Sequence, residues 1–464
     1  MSDLSTLLQP DRGQAARTLH LVDAAGFDSW LAQQPPRHRA AIAAHKLRAT
    51  PFAHAILPGE GAEDWSAVGI VADADTLSPW CLSKLAEVLP AGSYRLASGE
   101  PGAAAFGWLV AQHRFTRYRQ DHAAEGPRVL LTGDPARIDD LVRQAAATLL
   151  VRDLVDTGAS DLGPAELEAQ AGRLASGHGA TLAVTRGAEL ERGYPMIHTV
   201  GKAAGTGREP RLIELEWGNP AHPRVAIVGK GVCFDTGGLN IKPGSGMALM
   251  KKDMGGAAHA LALATLVMES RLPVRLHLLL PAVENAIAGN AFRPGDVLRT
   301  RKGVTVENTN TDAEGRLILG DALTRAAELQ PELMIDFATL TGAARVALGP
   351  DLPATFANDE ALAADLLACG TAEGDPLWRL PLWDGYDDML KSSVADMVNA
   401  PEGGFAGAIT AALFLRRFVP AEIAWAHLDT FAWRPSPKPG RPKGGDAYGL
   451  RAAWALLRKR YPVR

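Results

Sequence analysis

Two carboxylates and a guanidinium are spaced two residues apart in the run Asn310-Thr311-Asp312-Ala313-Glu314-Gly315-Arg316. In an extended segment, this spacing places Asp312, Glu314 and Arg316 on one face of the chain. Because a charged face is costly to bury unless cations or an anionic ligand compensate it, the run could form part of an ion-binding site. The alternative is the start of a helix, since Thr311 and Glu314 have the spacing of a capping box before an apolar run.

Further charged residues follow a short apolar run at residues 225–229, which is typical of a strand buried in the middle of a sheet. The glycine-rich stretch at residues 230–238 carries Lys230 and Asp235, and we expect it to be a loop that leaves the C-terminal end of this strand. Such loops are where α/β proteins place ligand sites. The stretch is not a phosphate-binding P-loop, because the required spacing is absent.

Lys242 and Asp253 lie between this stretch and a helix predicted at residues 257–267. Asp253 on its own would be expected to cap that helix. Two more buried strands are predicted at residues 276–280 and 333–337, and the Asn310 run falls between them. If the strands share one sheet, the loops at their ends bring together seven charged side chains: Lys230, Asp235, Lys242, Asp253, Asp312, Glu314 and Arg316.

Strands that alternate with helices along the chain indicate an α/β fold. With 464 residues the chain is too long for a single hydrophobic core, so we predict two domains. A small N-terminal α/β domain with a connecting helix spans residues 1–155, and we find no catalytic constellation in it. The larger C-terminal α/β domain spans residues 156–464 and has a central mixed sheet flanked by helices.

The composition is that of an ordinary globular protein, with 47% hydrophobic and 22% charged residues. The net charge of -4 gives no sign of a general affinity for nucleic acid or for an anionic membrane. Three widely spaced cysteines, Cys81, Cys233 and Cys369, form neither a disulfide framework nor a zinc-finger pattern. Residues 1–10 lack the regions of a signal peptide and no apolar run reaches membrane-spanning length, so we expect a cytoplasmic location.

Four carboxylates without a cysteine or histidine ligand set suit hard or borderline divalent ions such as Mn²⁺, Mg²⁺ or Zn²⁺. Four carboxylates exceed the need of one ion and fit a pair of ions that shares a bridging carboxylate. Two ions about 3.5–4 Å apart hold a bridging water, lower its pKa and stabilise a tetrahedral intermediate. A protonated lysine nearby can polarise a scissile carbonyl group. The ligand types alone leave a metal-dependent phosphoesterase open.

Three segments, residues 228–242, 250–256 and 310–317, resemble the leucyl aminopeptidase (M17) metallopeptidases, and the Asn310 run is the most specific signature of that family. Residues 338–342, 390–399 and 426–429 also resemble it. The resemblance covers about residues 150–464, whereas the first domain is matched mainly in general architecture. It implies a two-metal aminopeptidase, a hydrolase that releases the N-terminal residue from short peptides with a metal-bridged water as nucleophile. It also implies a homohexamer.

The resemblance further implies a role for each site residue. The residues that bind two divalent ions, Mn²⁺ or Zn²⁺, are Lys230, Asp235, Asp253, Asp312 and Glu314, with Asp235 and Glu314 bridging. Lys230 can be a ligand only as a neutral amine, so the ions must pull its pKa far below the reference value of about 10.4. Lys242 polarises the carbonyl group, and Arg316 holds a bicarbonate ion that acts as general base.

The substrate-binding residues implied by the resemblance are Met250, Asn310, Thr339 and Gly342. Met250, Thr339 and Gly342 would line the pocket for the side chain of the N-terminal residue, here called the side-chain pocket. The α-amine of the substrate would bind one of the ions, which restricts cleavage to the first residue of a peptide.

One departure from the family concerns substrate preference. Residues 443–449 are Lys-Gly-Gly-Asp-Ala-Tyr-Gly, where Lys-Gly-Ala-Thr-Gly-Phe-Gly is more usual. If the carboxylate of Asp446 reaches the side-chain pocket, it favours lysine or arginine as the N-terminal residue, since a buried carboxylate requires a cationic partner. The alternative is that Asp446 points to solvent or pairs with Lys443 or Arg451.

Two other functions are alternatives to catalysis. A DNA-binding or regulatory member of the family would need a basic surface stripe, which the net charge of -4 does not favour. An inactive structural relative is disfavoured because all seven site residues are present. We therefore expect peptides, and neither nucleic acid nor a membrane, as partners.

Overall fold

The computed structural model of the chain describes residues 3–61, 63–120 and 126–463. The chain divides into two compact units, one formed by Met1–Leu149 with Ser436–Lys443 and the other by Leu150–Pro435 with Gly444–Arg464. Residues 1 and 2, the start of the segment in which no signal peptide is expected, lie outside the described residues. The division of the sequence between residues 155 and 156 stays a prediction.

The first unit contains a mostly parallel sheet with the strand order β1-β6-β5-β2-β4-β3, in which only β3 and β4 pair antiparallel. Its strands are β1 (Leu8–Pro10), β2 (Arg17–Val22), β3 (His54–Pro58), β4 (Trp65–Ile70), β5 (Gly92–Leu96) and β6 (Arg128–Thr132). Its α-helices are α1 (Phe27–Ala32), α2 (Pro36–Ala44), α3 (Ser83–Val88), α4 (Ala104–Ala111) and the start of α5 (Ile138–Asp156), which continues into the second unit. Short 3₁₀ helices span Leu4–Thr6 and Pro135–Arg137.

The second unit contains a larger mixed sheet. Its strands are β7 (Thr181–Arg186), β8 (Arg211–Trp217), β9 (Arg224–Gly229), β10 (Gly231–Asp235), β11 (Arg275–Asn285), β12 (Val297–Arg299), β13 (Thr305–Glu307), β14 (Leu333–Ala338), β15 (Ala354–Ala357), β16 (Trp378–Arg379), β17 (Met397–Val398), β18 (Ala424–Asp429), β19 (Trp433–Arg434) and β20 (Gly444–Gly445). The central sheet has the order β16-β15-β18-β14-β9-β11-β8-β7, and β10 pairs with β11.

The helices of the second unit surround this sheet. They are α6 (Pro164–His178), α7 (Gly187–Gly193), α8 (Pro195–Gly201), α9 (Gly244–Met247), α10 (Gly255–Glu269), α11 (Glu314–Ala327), α12 (Gly342–Leu348), α13 (Glu360–Ala372), α14 (Gly407–Arg416) and α15 (Leu450–Arg460). Further 3₁₀ helices span Met250–Met254 and Asp384–Leu390. Within the described ranges, no helix is both long enough and apolar enough to cross a bilayer.

The middle strand β9 is buried on both faces, as its continuous apolar sequence predicts. Ala226 and Val228 belong to the hydrophobic cluster that contains Leu317 and Ile318 of α11. The alternate residues of β9 point to the opposite face, where α10 packs against the strand. Helices therefore cover both faces of a mixed sheet, and the predicted α/β fold is confirmed.

The C-terminal ends of three parallel strands meet at one edge of the central sheet. In register, Gly229 of β9 lies opposite Phe337 of β14, and Ala338 lies opposite Asp429 of β18. The amide of Lys230 then donates to the carbonyl oxygen of Phe337 at 3.0 Å. The residues that directly follow these strands are thus neighbours, and this edge carries the candidate site.

Residues 231–235 are a strand, so the prediction that the whole 230–238 stretch is a loop is wrong. β11 pairs with β9 only through residues 275–279, and its continuation to Asn285 pairs with β10 in parallel. The longer strand therefore offers free backbone groups just where β9 ends. Pairing with them satisfies the backbone of the glycine-rich stretch and places Asp235 opposite Asn285.

Two glycines allow the start of α10 to pack directly against the end of β9. A Cβ atom on Gly256 would lie 2.2 Å from the carbonyl oxygen of Phe337 and 2.8 Å from the amide nitrogen of Lys230. A Cβ atom on Gly229 would lie 2.7 Å from Cα of Ala257. Only glycine permits this approach, which places the turn that precedes α10 beside Lys230.

We expect Gly256→Ala to lower the free energy of unfolding by roughly 1–3 kcal/mol or more, because the added methyl group meets backbone atoms that cannot yield. Urea denaturation of the purified variant measures this change. The matched control is Gly172→Ala in α6, where the nearest atom to the added Cβ is Leu182 Cδ2 at 3.8 Å. This control should be neutral or slightly stabilising. Equal stability of Gly256→Ala and the wild type would contradict the close packing described here.

Candidate active site and metal centre

Lys230 lies between two carboxylates in the interior of the second unit. Its Nζ is 2.8 Å from Asp253 Oδ2 and 3.0 Å from Glu314 Oε1, and it donates to the carbonyl oxygen of Thr339 at 3.1 Å. Burial lowers the pKa of Lys230, but the neighbouring Asp253 and Glu314 outweigh it and hold the pKa above its ordinary value. In the absence of a metal ion, this side chain is therefore an ammonium group.

Lys242 lies between the other two carboxylates. Its Nζ is 2.8 Å from Asp235 Oδ2 and forms a second ion pair with Asp312 Oδ1. Burial by itself would lower the pKa of Lys242. The adjacent carboxylates, above all Asp235, outweigh this effect and hold its pKa above the ordinary value. Carboxylate oxygens of Asp235, Asp312 and Glu314 all lie within 4.8 Å of one another, so one ion could contact all three.

The four carboxylates come from three segments of the second unit: β10, the 3₁₀ helix Met250–Met254 and the Asn310 run. Asp235 ends β10, and its Oδ1 accepts a hydrogen bond from Nδ2 of the buried Asn285 at 2.9 Å. Asp253 lies in the 3₁₀ helix Met250–Met254, so it does not cap α10 as its sequence position suggested. Its Oδ1 accepts from the hydroxyl of Thr339 at 2.9 Å.

The Asn310 run is a turn followed by a helix, so the prediction of an extended segment is wrong. Glu314 is the first residue of α11 and Arg316 lies in its first turn. The alternative of a helix start is right, but the capping box is wrong, because the N-cap is Ala313. The hydroxyl of Thr311 instead donates to the carbonyl oxygen of Gly237 at 2.6 Å. This bond joins the run to the segment that follows β10.

Burial and mutual repulsion shape the electrostatics of the cluster. Burial, together with the nearby Asp235, raises the pKa of Glu314 to about 8. Burial also raises the pKa of Asp235. Burial acts in the same direction on Asp253, but Lys230 and Lys252 outweigh it and hold the pKa of Asp253 below its ordinary value. Such a cluster gains from any additional positive charge.

The donor set fits divalent cations. Asp253 Oδ2 and Glu314 Oε1 are buried and accept no hydrogen bond within the part of the chain that the structure describes. Their cationic neighbour is Nζ of Lys230, at 2.8 and 3.0 Å, and once that amine is neutral both oxygens remain as donors for a divalent ion. The oxygen ligands together with one amine suit the borderline ions Mn²⁺ and Zn²⁺.

Arg316 is buried beside this cluster. Its Nη1 donates to the carbonyl oxygen of Asn399 at 2.8 Å, whereas its Nε has no hydrogen-bond partner among the described residues. Burial lowers the pKa of Arg316 to about 10, so the guanidinium stays charged at neutral pH. A buried cationic donor without an acceptor fits a small anion.

The implied substrate-binding residues lie on three segments of the second unit: the 3₁₀ helix Met250–Met254, the segment 339–342 and the Asn310 run. Met250 begins the 3₁₀ helix that carries Asp253, and Thr339 contacts Asp253 directly. Gly342 is exposed and begins α12. Asn310 supports the turn itself, since its Oδ1 accepts from the amide of Asp312 at 2.9 Å.

Two known domain families match most of the chain. The catalytic domain of the cytosol aminopeptidase family matches residues 149–453, and the N-terminal domain of M17 aminopeptidases matches residues 18–130. This chain belongs to the cytosol aminopeptidase (M17) family. The expectation of an enzyme, a metalloaminopeptidase of the leucyl aminopeptidase type, is confirmed.

Individual M17 relatives agree with this assignment. The probable cytosol aminopeptidase of Roseiflexus castenholzii is 41% identical over 394 residues, which cover 81% of this chain and 80% of the relative. The crystal structure of the cytosol aminopeptidase from Coxiella burnetii has a TM-score of 0.92 and 41% identity, and the match covers 98% of this chain and 99% of that one. The bottromycin maturation enzyme BotP in complex with Mn has a TM-score of 0.84 and 32% identity, covering 96% of this chain and all of that one. None of these matches supports a DNA-binding or regulatory role.

Three M17 site neighbours were missed by sequence reasoning: Asn285, Lys252 and Asp429. Lys252 is 5% exposed with its Nζ 3.1 Å from Asp253 Oδ1. Asp429 accepts from the amides of Leu340 and Thr341 and so holds the segment after β14. Lys252 and Asp429 fall inside motifs that carried the resemblance, and Lys252 even adjoins its partner Asp253 in sequence. The partners of Asn285 and Asp429 are distant in sequence, so local pattern does not reveal them.

Asp446 is 1% exposed, so the expectation that it points to solvent is wrong. Its Oδ1 accepts from Nε and Nη2 of Arg152 at 3.1 and 3.0 Å, and its Oδ2 accepts from Nε of Arg434 at 3.2 Å. Two guanidinium groups therefore already compensate this carboxylate. A cationic substrate side chain is not needed there.

We expect Asp446→Thr to lower the free energy of unfolding by roughly 3–5 kcal/mol, because two buried guanidinium groups lose their counterion. The ratio of kcat/KM for Arg- and Leu-headed substrates should stay unchanged. Urea denaturation and steady-state kinetics measure the two effects, with Lys443→Thr at an exposed position of the same segment as control. A shift in the Arg/Leu ratio would show that Asp446 contacts the substrate after all.

Proposed function

We propose that this chain removes the N-terminal residue of short peptides with the help of two divalent ions held by Lys230, Asp235, Asp253, Asp312 and Glu314. The observation that carries the proposal is the convergence of four carboxylates and a buried lysine amine at the end of the central sheet. Asp235 and Glu314 would be shared between the two ions, as the family resemblance implies.

When bound, such a pair of ions supplies Lewis acidity and lowers the pKa of a water molecule that serves as nucleophile. Lys230 must first give up its proton, because only a neutral amine has a lone pair to donate. Because the pKa of Lys230 is raised in the metal-free protein, metal binding would release this proton. The affinity for the metal should therefore increase as the pH rises.

Lys242 is suited to a different task. Its side chain is 14% exposed, against 3% for Lys230, so it is the lysine that a substrate can approach more readily. Its ammonium group would donate to the carbonyl oxygen of the scissile bond and stabilise the negative charge that develops there. Arg316 would hold a bicarbonate ion that accepts the proton of the attacking water, through the Nε that has no hydrogen-bond partner among the described residues.

Further properties are proposed on the family resemblance. We infer Mn²⁺ or Zn²⁺ as the ions, supported by the oxygen-rich donor set and by the Mn complex of BotP. A homohexamer is proposed on the family resemblance alone. A cytoplasmic location is proposed because relatives such as that of Roseiflexus castenholzii are named cytosol aminopeptidases.

We expect active protein to contain two divalent ions per chain and to lose activity when a chelator removes them. Elemental analysis after dialysis against EDTA and reloading with Mn²⁺ measures the ratio of metal to protein, and cleavage of Leu-headed fluorogenic substrates measures recovery. Full activity with no more than one ion per chain would refute the two-metal proposal.

The two lysines should differ when each is replaced. Lys230→Ala should lower metal occupancy and the number of protons released on metal binding, because the amine ligand is lost. Lys242→Ala should keep metal occupancy and lower kcat by about 10²-fold or more, as expected for an oxyanion donor. Metal titration in a weakly buffered solution, with a pH indicator, measures occupancy and proton release together. Equal loss of metal in both variants would show that the roles are assigned wrongly.

A further inference from the structure

The half-buried ring of Phe431 lies beside two cationic side chains just after β18. The ring centroid is 4.7 Å from Cζ of Arg345 and 5.7 Å from Nζ of Lys252. Both distances fall within the range of about 6 Å in which an aromatic ring attracts a cation. Phe431 therefore helps to hold both positive charges in place.

The two cations differ in their partners. Lys252 is buried and its charge is already paired with the carboxylate of Asp253. Arg345 is exposed and pairs with no carboxylate in residues 3–61, 63–120 and 126–463. Its guanidinium group is thus free to bind an anion that enters from solvent.

Arg345 also lies next to Gly342, which the family resemblance places in the wall of the side-chain pocket. Its Nη2 is 3.8 Å from the position that a Cβ atom on Gly342 would take. Gly342 follows Thr339 by three residues, and the hydroxyl of Thr339 donates to Asp253 at 2.9 Å. The guanidinium group therefore stands beside a residue expected to contact the substrate side chain.

We propose that Arg345 makes the enzyme favour peptides whose N-terminal residue carries a side-chain carboxylate, glutamate above all. This inference rests on the proposed aminopeptidase function. A planar guanidinium group binds a carboxylate through two parallel hydrogen bonds, and its stacking on Phe431 reduces the freedom lost on binding. The carboxylate of Asp446, which would have produced the opposite preference, is already paired with Arg152 and Arg434.

The test compares Glu- and Gln-headed fluorogenic amides, which differ in charge and hardly in shape. These substrates have no C-terminal carboxylate, so the glutamate side chain is the only carboxylate of the substrate that Arg345 could bind. The wild type should have the higher kcat/KM for the Glu-headed amide. Arg345→Gln should lower the Glu/Gln ratio by about ten-fold or more, and Arg345→Lys should give an intermediate ratio. The matched control is Arg173→Gln, an exposed arginine of α6, which should leave the ratio unchanged.

Two results would overturn the inference while leaving the proposed function intact. In the first, the wild type cleaves a Leu-headed amide but prefers Gln over Glu. In the second, the Glu/Gln ratio is the same in the wild type and in Arg345→Gln. If metal-loaded wild type cleaves none of the three amides, the proposed function fails, and the inference fails with it.

Discussion

Four carboxylates lie together at one edge of the central sheet, and their charge is the constraint on which the rest of the site depends. Desolvation and repulsion would raise the free energy of such a cluster by several kcal/mol without cations. Lys230 and Lys242 supply part of the positive charge, each between two carboxylates. Divalent ions would supply the rest, which couples the stability of the site to metal binding.

The surroundings of the two lysines explain why residues of one type could serve two purposes. Lys230 follows β9 directly and is enclosed. Gly315 packs against it so closely that a Cβ atom at that position would lie 2.7 Å from the Nζ of Lys230. Lys242 lies on the segment after β10 and is more exposed. Enclosure favours an amine that stays with the ions, whereas partial exposure favours an ammonium group that meets the substrate. In the proposed mechanism, the different burial of the two amines would separate metal binding by Lys230 from carbonyl polarisation by Lys242.

The packing of the backbone brings the residues of the site together. The register of β9, β14 and β18 aligns the residues that follow them, and Gly229 and Gly256 let α10 approach the end of β9. Asp253 reaches Lys230 because of this approach. A strained or displaced α10 would separate a carboxylate from the cluster even with every charged residue retained.

The sequence by itself indicated the family, the charged residues that could form the site and the buried strands that support them. Residue types and spacing around Lys230 and Glu314 indicate a cluster of carboxylates and amines that suits divalent ions, because such ions need particular donor atoms. Continuous apolar runs indicate strands, because both faces must be buried. Only the tertiary structure decided that residues 231–235 pair with β11, that Asn285 contacts Asp235, and that Asp446 is compensated by Arg152. These contacts join segments far apart in the chain. Local sequence encodes the preference of a residue for burial or charge pairing, but the partner is determined by the packing of the whole unit.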